Sequence, residues 1–576
     1  MNKEDVKVVA RECRFAIHIP EKYDNNPDLH LVKEQVHYSD GSVKPALRWI
    51  KEFKRDIWVT KRSHRVYKDK REWSALDELD HQKVTQSNLR VAASKMLGKM
   101  PNKSDHMKKI SQSPYLYGTD ITSTSLIKKA AMDAFPNHNT PFTLATYDVE
   151  TDVLYGTEEI NMATVIFKRD IFITITEDFM RGINNPVEAI QQSARRYIGE
   201  YLDKHQMTIH VHLAKNVVEV IGHSFSKVHE LKPDWLAIWN MDFDIPKILE
   251  NLERYGEDPR DYLCDPMVPK QVRVCRYKQG PKKKVTASGK VIPINPAAQW
   301  HTLICTASFY VIDAMCAYKH LRLGEQEESS YSLDAILALK LGIRKLKFKE
   351  ADEHTGLKWH QFMQSNYKVE YCVYNIFDCL SMIELDHKTK DLAYTLPSFA
   401  ATTDFANFKS QPRRIADALH FYALQEGYVM GTVGSVDEPV EGASAEVDEE
   451  NTADDEGEEA LPVEKDDVLS RVGWVLTLPP LNAVLGLPFI QEDPTIKTGI
   501  RAFVYDSDAV SSYPSDTSVG NVSKSTTKRE LIRIEGIDED IFRMNNLNLV
   551  LGQTNAIEYA VEMFGMPKPE ELLNLL

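Results

Sequence analysis

Two carboxylates stand two residues apart in the stretch TLATYDVETD, at Asp148 and Glu150. The surrounding residues predict a β-strand, whose period of two directs both side chains to the same face. Like charges repel and are costly to bury unless a positive charge lies between them. The pair therefore indicates one of two things: a strand that ends in a solvated polar turn, or a shared metal ion.

A third acid, Asp244, follows the apolar stretch WLAIWN. This stretch predicts a short strand, followed by a helix that begins close to Pro246 and ends at Gly256. Ligand and catalytic groups of α/β sheets collect at such strand ends. Asp244 is therefore a candidate ligand, and the alternative is that it caps the helix.

A fourth acid lies in the stretch YCVYNIFDCL, where Tyr374 and Asp378 are four residues apart. At this spacing both side chains lie on the same face of a helix. The flanking apolar residues predict that much of the helix is buried, and they are Val373, Ile376, Phe377 and Leu380. Asp378 is either a partly buried functional acid or the polar edge of an amphipathic helix.

The elements that must position these residues follow an α/β pattern. Residues 142–400 alternate between apolar strand-like stretches and helical stretches, and a helix is predicted between Ser332 as its cap and Gly342 as its stop. We expect an α/β and α+β multidomain chain. Its predicted parts are an N-terminal mixed domain over 1–135, an α/β domain over 136–400, a helical connection over 401–434, an acidic disordered loop over 435–467 and a last part over 468–576.

Composition and charge are those of an ordinary soluble protein of several domains. The 576 residues carry a net charge of −15, and residues 437–467 alone hold 15 acids and one lysine, so the rest of the chain has a net charge of only −1. A nucleic-acid partner is therefore not excluded, and the acidic segment is either a solubilising insert, a mimic of DNA or a docking tail for a basic partner. Seven cysteines without a CxxC pair, no signal peptide and no membrane span predict a cytoplasmic protein.

Taken together, the three motifs resemble the DEDDy class of 3′–5′ exonucleases, whose pattern is DxE, then Nx(2–3)(F/Y)D, then YxxxD. Here these motifs read DVE from Asp148, NMDFD ending at Asp244, and YNIFD from Tyr374 to Asp378. The resemblance implies an RNase H-like domain in which the four acids hold two Mg²⁺ or Mn²⁺ ions. Tyr374 would orient the attacking water, and the substrate would be a single-stranded 3′ end of DNA.

A wider resemblance is to the family B DNA polymerases of tailed bacteriophages. Residues 271–293 resemble the β-hairpin of these enzymes, and the stretch DAVSSYPS resembles polymerase motif A, with Ser512 in place of a leucine. The resemblance implies that Asp508 holds catalytic Mg²⁺ and that Tyr513 stacks under the incoming sugar. The stretch YDSD before it also resembles motif C, although the following YPS triplet favours motif A.

The resemblance covers the exonuclease and the start of a polymerase palm. Neither a fingers motif nor a second palm motif follows Ser515. We therefore expect a split polymerase in which a second chain supplies fingers, the remaining palm and thumb; a truncated sequence or a remnant that kept only proofreading is the next interpretation. Two other functions stay open, namely a non-catalytic scaffold that binds DNA and a free-standing nuclease.

Overall fold

The computed structural model of the chain describes residues 6–21, 27–66, 71, 73–102, 106–285, 290–324, 327–431, 491–493 and 498–500. Over these residues the protein is mixed α/β, with thirteen α-helices and one large mixed sheet, which confirms the predicted fold class. The chain divides into two units, residues 1–459 and 460–576. The finer domain boundaries remain predictions.

The N-terminal part of the first unit contains two three-stranded sheets, with strand orders β1-β2-β3 and β6-β4-β7. Its described elements are β1 (Val8–Ile19), β2 (Leu29–Tyr38), β3 (Val43–Lys51), β4 (Arg55–Thr60), β5 (Trp73–Ala75), β6 (Leu79–Val84), α1 (Leu89–Met96), α2 (Met107–Ser111), β7 (Leu116–Tyr117) and α3 (Ser123–Ala134).

The central part of the same unit alternates strands with helices. Its described elements are β8 (Leu144–Thr151), β9 (Ile160–Phe167), β10 (Asp170–Thr176), α4 (Pro186–His205), β11 (Thr208–Ala214), α5 (Val217–Leu231), β12 (Trp235–Ile238), α6 (Met241–Arg254), α7 (Pro259–Leu263), β13 (Cys275–Lys278), β14 (Lys283–Val285), β15 (Val291–Pro293), β16 (Thr302–Cys305), β17 (Tyr310–Asp313), α8 (Ala314–Leu321), α9 (Leu333–Leu341), α10 (Leu357–Asn366), α11 (Lys368–Thr389) and α12 (Leu396–Ala400).

An eight-stranded sheet organises the central part, in the order β11-β10-β9-β8-β12-β17-β16-β13. Strands β8, β12 and β17 are parallel neighbours, so their carboxyl ends meet at one edge of the sheet, while β9 runs antiparallel to β8. Separate apolar clusters cover the two faces, with Ile198 of α4 and Phe377 of α11 in one and Phe225 of α5 and Ile248 of α6 in the other. Each such side chain stabilises the fold by about 1.5–3 kcal/mol when fully buried.

Local sequence signals explain both ends of α9 and miss the start of α6. Ser332 caps α9 by accepting from Ala335 N, and Gly342 ends it with a φ of 71°, as predicted. Helix α6 begins at Met241 and not close to Pro246 as predicted, because the Met241 N–H donates to the carboxylate of Asp313 at the end of β17. Asp244 therefore lies within the first turns of α6, and it is not the cap.

The segment predicted as a helical connection contains more than a helix. After α13 (Gln411–Gln425), the strand β18 (Tyr428–Met430) pairs antiparallel with β5 of the N-terminal part. The ring of Tyr428 packs edge-on against Trp73 at 5.0 Å. A three-residue strand carries too little local pattern to be predicted, since its partner lies more than 350 residues earlier.

Buried charges join the N-terminal strands to the central sheet. Asp234, which directly precedes β12, is fully buried and accepts from Gln35 of β2 and from Thr143 N. Arg14 of β1 and Lys33 of β2 place cationic nitrogens 3.4 and 3.9 Å from its carboxylate oxygens. The Lys33 amine also donates to the carbonyl of Ser308 at 2.5 Å. A buried carboxylate needs such partners, so these contacts hold strands β1 and β2 of the N-terminal part against the central sheet.

Several predicted features lie outside the described residues. These are the acidic segment 437–467 and motif A with Asp508 and Tyr513, whereas the last part contributes only β19 (Gln491–Asp493) and β20 (Thr498–Ile500), which pair antiparallel. Of the hairpin predicted over residues 271–293, strands β14 and β15 pair antiparallel. Within the described chain, each helix is too short or too polar for a bilayer span.

Candidate active site

Strand β8 presents two acids on one face because its polar and apolar residues alternate. Tyr147 and Val149 are buried in the apolar cluster that contains α5 and α6, so Asp148 and Glu150 point to the opposite face, toward α11. The pairing of β8 with β9 shifts register between Glu150 and Thr151. Such bulges re-aim side chains and occur frequently beside active sites.

Helix α11 lies across this face and holds the two acids in place. The Asn375 side-chain amide donates to Asp148 Oδ2 at 2.6 Å, and the Tyr371 hydroxyl donates to Glu150 Oε2. Tyr371 and Asn375 are four residues apart, so one helix face reaches two residues that are themselves two apart on the strand. The two-residue separation of the acids on β8 thus matches the four-residue separation of their donors on α11.

Three of the predicted acids converge on one point. Asp148, Glu150 and Asp378 each offer a carboxylate oxygen, and these three oxygens lie within 4.8 Å of one another. Asp378 is buried, and its Oδ1 atom has no hydrogen-bond partner among the described residues. The first and third sequence motifs therefore meet in space, with an unsatisfied oxygen between them.

Asp244 adjoins the same cluster through the backbone of β8. Strand β12 ends at Ile238 and pairs with β8 only as far as Thr146, so β12 provides no partner for the Val149 N–H. The Asp244 carboxylate accepts from this N–H at 3.0 Å, between the two acids of β8. This hydrogen bond places Asp244 of the second sequence motif beside Asp148 and Glu150 of the first.

Lys345 provides positive charge within the cluster. Its amine donates to Asp378 Oδ2 at 2.6 Å and to the hydroxyl of Tyr374 at 3.2 Å. Burial would lower the pKa of Lys345, but Asp378, Tyr374 and Asp148 raise it above its usual value, so the amine stays charged. The Tyr374 ring packs 4.9 Å from Trp359, which fixes its position.

The surroundings of the four acids disfavour their ionised forms. Burial raises the pKa of Glu150 to about 7 and that of Asp244 to about 8, and it raises the pKa of Asp378 although Lys345 opposes the change. Burial together with the charges of Asp244, Asp378 and Glu150 raises the pKa of Asp148 well above its usual value. A cation among these acids would lower every one of these pKa values.

The donor set fits a hard divalent cation. All the ligand atoms that the four acids offer are carboxylate oxygens, which Mg²⁺ and Mn²⁺ prefer, and Asp378 Oδ1 has no competing partner within the described part of the chain. Phe243, one residue before Asp244, is 41% exposed, so an aromatic surface is open to solvent beside this acid.

Sequence reasoning missed three residues that contact the predicted ones, and a further acid at the same sheet edge. Tyr371 and Asn375 lie in the quoted motif, and their helical spacing to Asp378 and Tyr374 could have suggested them. Lys345 belongs to the run RKLKFK, in which no pattern distinguishes it from its basic neighbours. Asp313 ends the strand β17 at the same sheet edge, but both of its oxygens accept backbone N–H groups, so its role is to position α6 and α8.

Comparison with known proteins does not assign the chain. No protein-family model matches it, and no curated protein is significantly similar to it. An assignment must therefore rest on the geometry of the acids and on the three motifs.

The raised pKa values predict a pH-dependent stability in the absence of divalent ions. A carboxyl group whose pKa is raised by folding stabilises the protein at low pH, and this contribution is lost as the pH rises through the folded value. Between pH 5 and pH 8 in a chelator, we expect these acids to make the free energy of unfolding fall by on the order of 3 kcal/mol, against an opposing rise from buried histidines such as His320 and His420, whose pKa values burial lowers to about 4. Asp244→Asn should reduce this fall, as measured by urea unfolding.

Asp203→Asn is the matched control for that experiment, because Asp203 is exposed on α4 and pairs with Arg195 at the surface. It should leave the pH dependence as in the unmodified chain. Equal changes in the free energy of unfolding from pH 5 to pH 8 for the unmodified chain and Asp244→Asn would contradict the description of Asp244 as a buried acid with a raised pKa.

Removing the cation of the cluster should destabilise the fold. Lys345→Met leaves the Asp378 carboxylate without its ion-pair partner, which we expect to cost about 3 kcal/mol in the free energy of unfolding at pH 7. Lys347→Met, two residues later at an exposed position, should change it by less than about 0.5 kcal/mol. Equal effects of the two substitutions in urea unfolding would show that the Lys345 contact contributes no net stability.

Proposed function

We propose that the chain is a metal-dependent 3′–5′ exonuclease that removes nucleotides from DNA ends. One observation carries the proposal: carboxylate oxygens of Asp148, Glu150 and Asp378 lie within 4.8 Å of one another although the residues come from two distant segments. Asp244 adjoins them through Val149 N. Four acids that repel one another in a partly closed site are costly unless cations bind there.

Mg²⁺ or Mn²⁺ would be held by Asp148, Glu150, Asp244 and Asp378. When bound, a pair of such ions activates water and neutralises charge on the phosphate. Asn375 and Tyr371 of α11 keep these carboxylates in place. Asn375 donates a hydrogen bond to Asp148, and Tyr371 donates one to Glu150. The acids therefore need little rearrangement to act as ligands.

Tyr374 and Lys345 are the residues suited to contact the reacting groups. Burial and the neighbouring Asp378 raise the pKa of Tyr374, so its hydroxyl stays protonated at neutral pH and can hold a water molecule by hydrogen bonding. Lys345, which donates to this hydroxyl, supplies a positive charge for the phosphate. In this role Tyr374 positions the attacking water, and the proton that this water loses passes to solvent.

Other parts of the proposal rest on the sequence resemblance. These are the RNase H-like fold, DNA as the substrate, the role of the chain in proofreading by a family B polymerase, the functions of Asp508 and Tyr513, and the second chain with fingers and thumb. The alternation of strands and helices around a mixed sheet supports the first of these. All seven cysteines are free thiols, which supports the proposed cytoplasmic location.

Loss of a central acid should abolish nuclease activity. We expect the unmodified chain with Mg²⁺ or Mn²⁺ to shorten a 5′-labelled single-stranded oligonucleotide one nucleotide at a time, and Asp148→Ala to slow this reaction by about 10³-fold or more, since it removes a ligand at the centre of the cluster. Asp203→Ala, at the exposed position on α4, is the control and should cut at the normal rate. An unmodified chain that binds DNA but never cuts it would favour the scaffold function instead.

The hydroxyl of Tyr374 should affect the rate and not the binding of DNA. Tyr374→Phe keeps the ring and its packing against Trp359 but loses the hydrogen bond to water, so we expect kcat to fall by about 10–100-fold with KM unchanged. Tyr422→Phe, at an exposed tyrosine of α13, is the matched control. A normal kcat for Tyr374→Phe would remove this residue from the mechanism while leaving the role of the acids intact.

A further inference from the structure

A second cluster of ligand-type side chains lies away from the acids, where the end of α4 meets α11. His205, Glu384 and His387 each offer one ligand atom, and these atoms lie within 4.8 Å of one another. His205 Nε2 contacts Glu384 Oε1, and His387 Nδ1 lies 3.9 Å from the same oxygen. Glu384 follows Asp378 by six residues, about 9 Å along the helix axis, so this cluster is separate from the acidic one.

Helix packing brings these three side chains together before any ligand binds. Glu384 and His387 are three residues apart and share one face of α11. His205 is the last residue of α4, and the left-handed conformation of Gln206, with a φ of 53°, ends the helix directly after it. One turn earlier, Tyr201 packs edge-on against Phe377 of α11 at 5.7 Å. The two helices are therefore fixed relative to each other where the cluster forms.

Two atoms of the cluster already form a close pair. Glu384 is only 8% exposed, and its Oε1 atom forms an ion pair with His205 Nε2 that is shielded from solvent. The other oxygen, Oε2, accepts from Lys204 Nζ at 2.6 Å. The paired carboxylate and imidazole thus lie together beside the His387 imidazole, which brings three ligand-type atoms to one point.

Two of the three residues, Glu384 and His387, have pKa values shifted in the direction that metal binding requires. Burial opposes charge on Glu384, but Lys204 and His205 hold its pKa below the usual value, so the carboxylate is ionised. Burial lowers the pKa of His387, which favours the neutral imidazole that binds metals. Lys204 is 58% exposed, so its amine can move into solvent when a cation arrives.

We propose that His205, Glu384 and His387 bind a borderline divalent cation such as Zn²⁺, with water in the fourth position. Two imidazole nitrogens and one carboxylate oxygen are a known donor set for Zn²⁺, whereas the all-oxygen set of the acidic cluster suits harder ions. The bound ion joins the carboxyl end of α4 to α11, the helix that also carries Tyr374 and Asp378. This site does not depend on the proposed nuclease activity.

Small movements complete the coordination geometry. Ligands that bind a tetrahedral Zn²⁺ at about 2.0–2.2 Å lie about 3.4 Å from one another. The separation of 3.9 Å between Glu384 Oε1 and His387 Nδ1 must shrink slightly, and His205 Nε2 must move away from Glu384 Oε1. The His387 side chain is 52% exposed and can rotate without disturbing the core.

The test is Zn²⁺ binding by the full chain in the presence of excess Mg²⁺, measured by competition with a chromophoric chelator. We expect one tightly bound Zn²⁺ per chain, and we expect His387→Ala and His205→Ala each to weaken binding by more than about 100-fold, because each removes a direct ligand. His210→Ala is the matched control, since His210 pairs with a single carboxylate, Asp170, at the surface. It should bind Zn²⁺ as the unmodified chain does.

Two further measurements distinguish a Zn²⁺ site in this cluster from Zn²⁺ bound among the acids. Glu384→Gln keeps the volume of the buried side chain and should also lose Zn²⁺, while Asp378→Asn in the acidic cluster should retain it. Zn²⁺ should raise the Tm of the unmodified chain but not that of His387→Ala. Absence of Zn²⁺ binding, or binding that survives the His205 and His387 substitutions, would show that the cluster is an ion pair only and would overturn the proposal.

Discussion

Electrostatic repulsion among Asp148, Glu150, Asp244 and Asp378 is the constraint around which the central part of the chain is organised. Each carboxylate has a partner that reduces the cost of burial, namely Asn375, Tyr371, the Val149 N–H and Lys345 in that order. Only one of these partners carries a full charge. The raised pKa values show that the compensation is incomplete. The arrangement of the four acids is therefore maintained at a cost in stability.

The apolar packing on both sides of the sheet is what prevents the acids from moving apart. Tyr147 and Val149 anchor β8 in the cluster with α5 and α6, while Phe377 and Leu380 anchor α11 in the other cluster. Because protein interiors are close-packed, neither element can shift by more than a fraction of an ångström without opening cavities. The hydrophobic core thus holds in place an arrangement of charges that would otherwise separate.

The parts of this site that follow from local periodicity could be predicted, and the parts that depend on tertiary contacts could not. The period of a strand paired Asp148 with Glu150, the period of a helix paired Tyr374 with Asp378, and the alternation of elements indicated the α/β class. The role of Lys345 could not be predicted, because it depends on which of several neighbouring basic residues contacts Asp378. The roles that the resemblance implies for these residues remain predictions.

Two other features escaped sequence reasoning for the same physical reason. His205 lies 179 residues before Glu384, and nothing in either segment alone indicates that a helix end and a helix face will meet there. The early start of α6 depends on Asp313, which is contributed by a strand 72 residues further along the chain. Contacts between segments so distant in sequence are set by the sheet order, which local patterns do not encode.

The carboxylate of Asp234 has a consequence for how this protein loses its structure. Its counter-charges, Arg14 and Lys33, both come from the other side of the proposed boundary at residue 135. A fragment that starts at that boundary would lack both cations and the Gln35 contact of this carboxylate. The N-terminal strands thus contribute to the stability of the central sheet. We expect the N-terminal strands and the central sheet to unfold together in one cooperative step on heating.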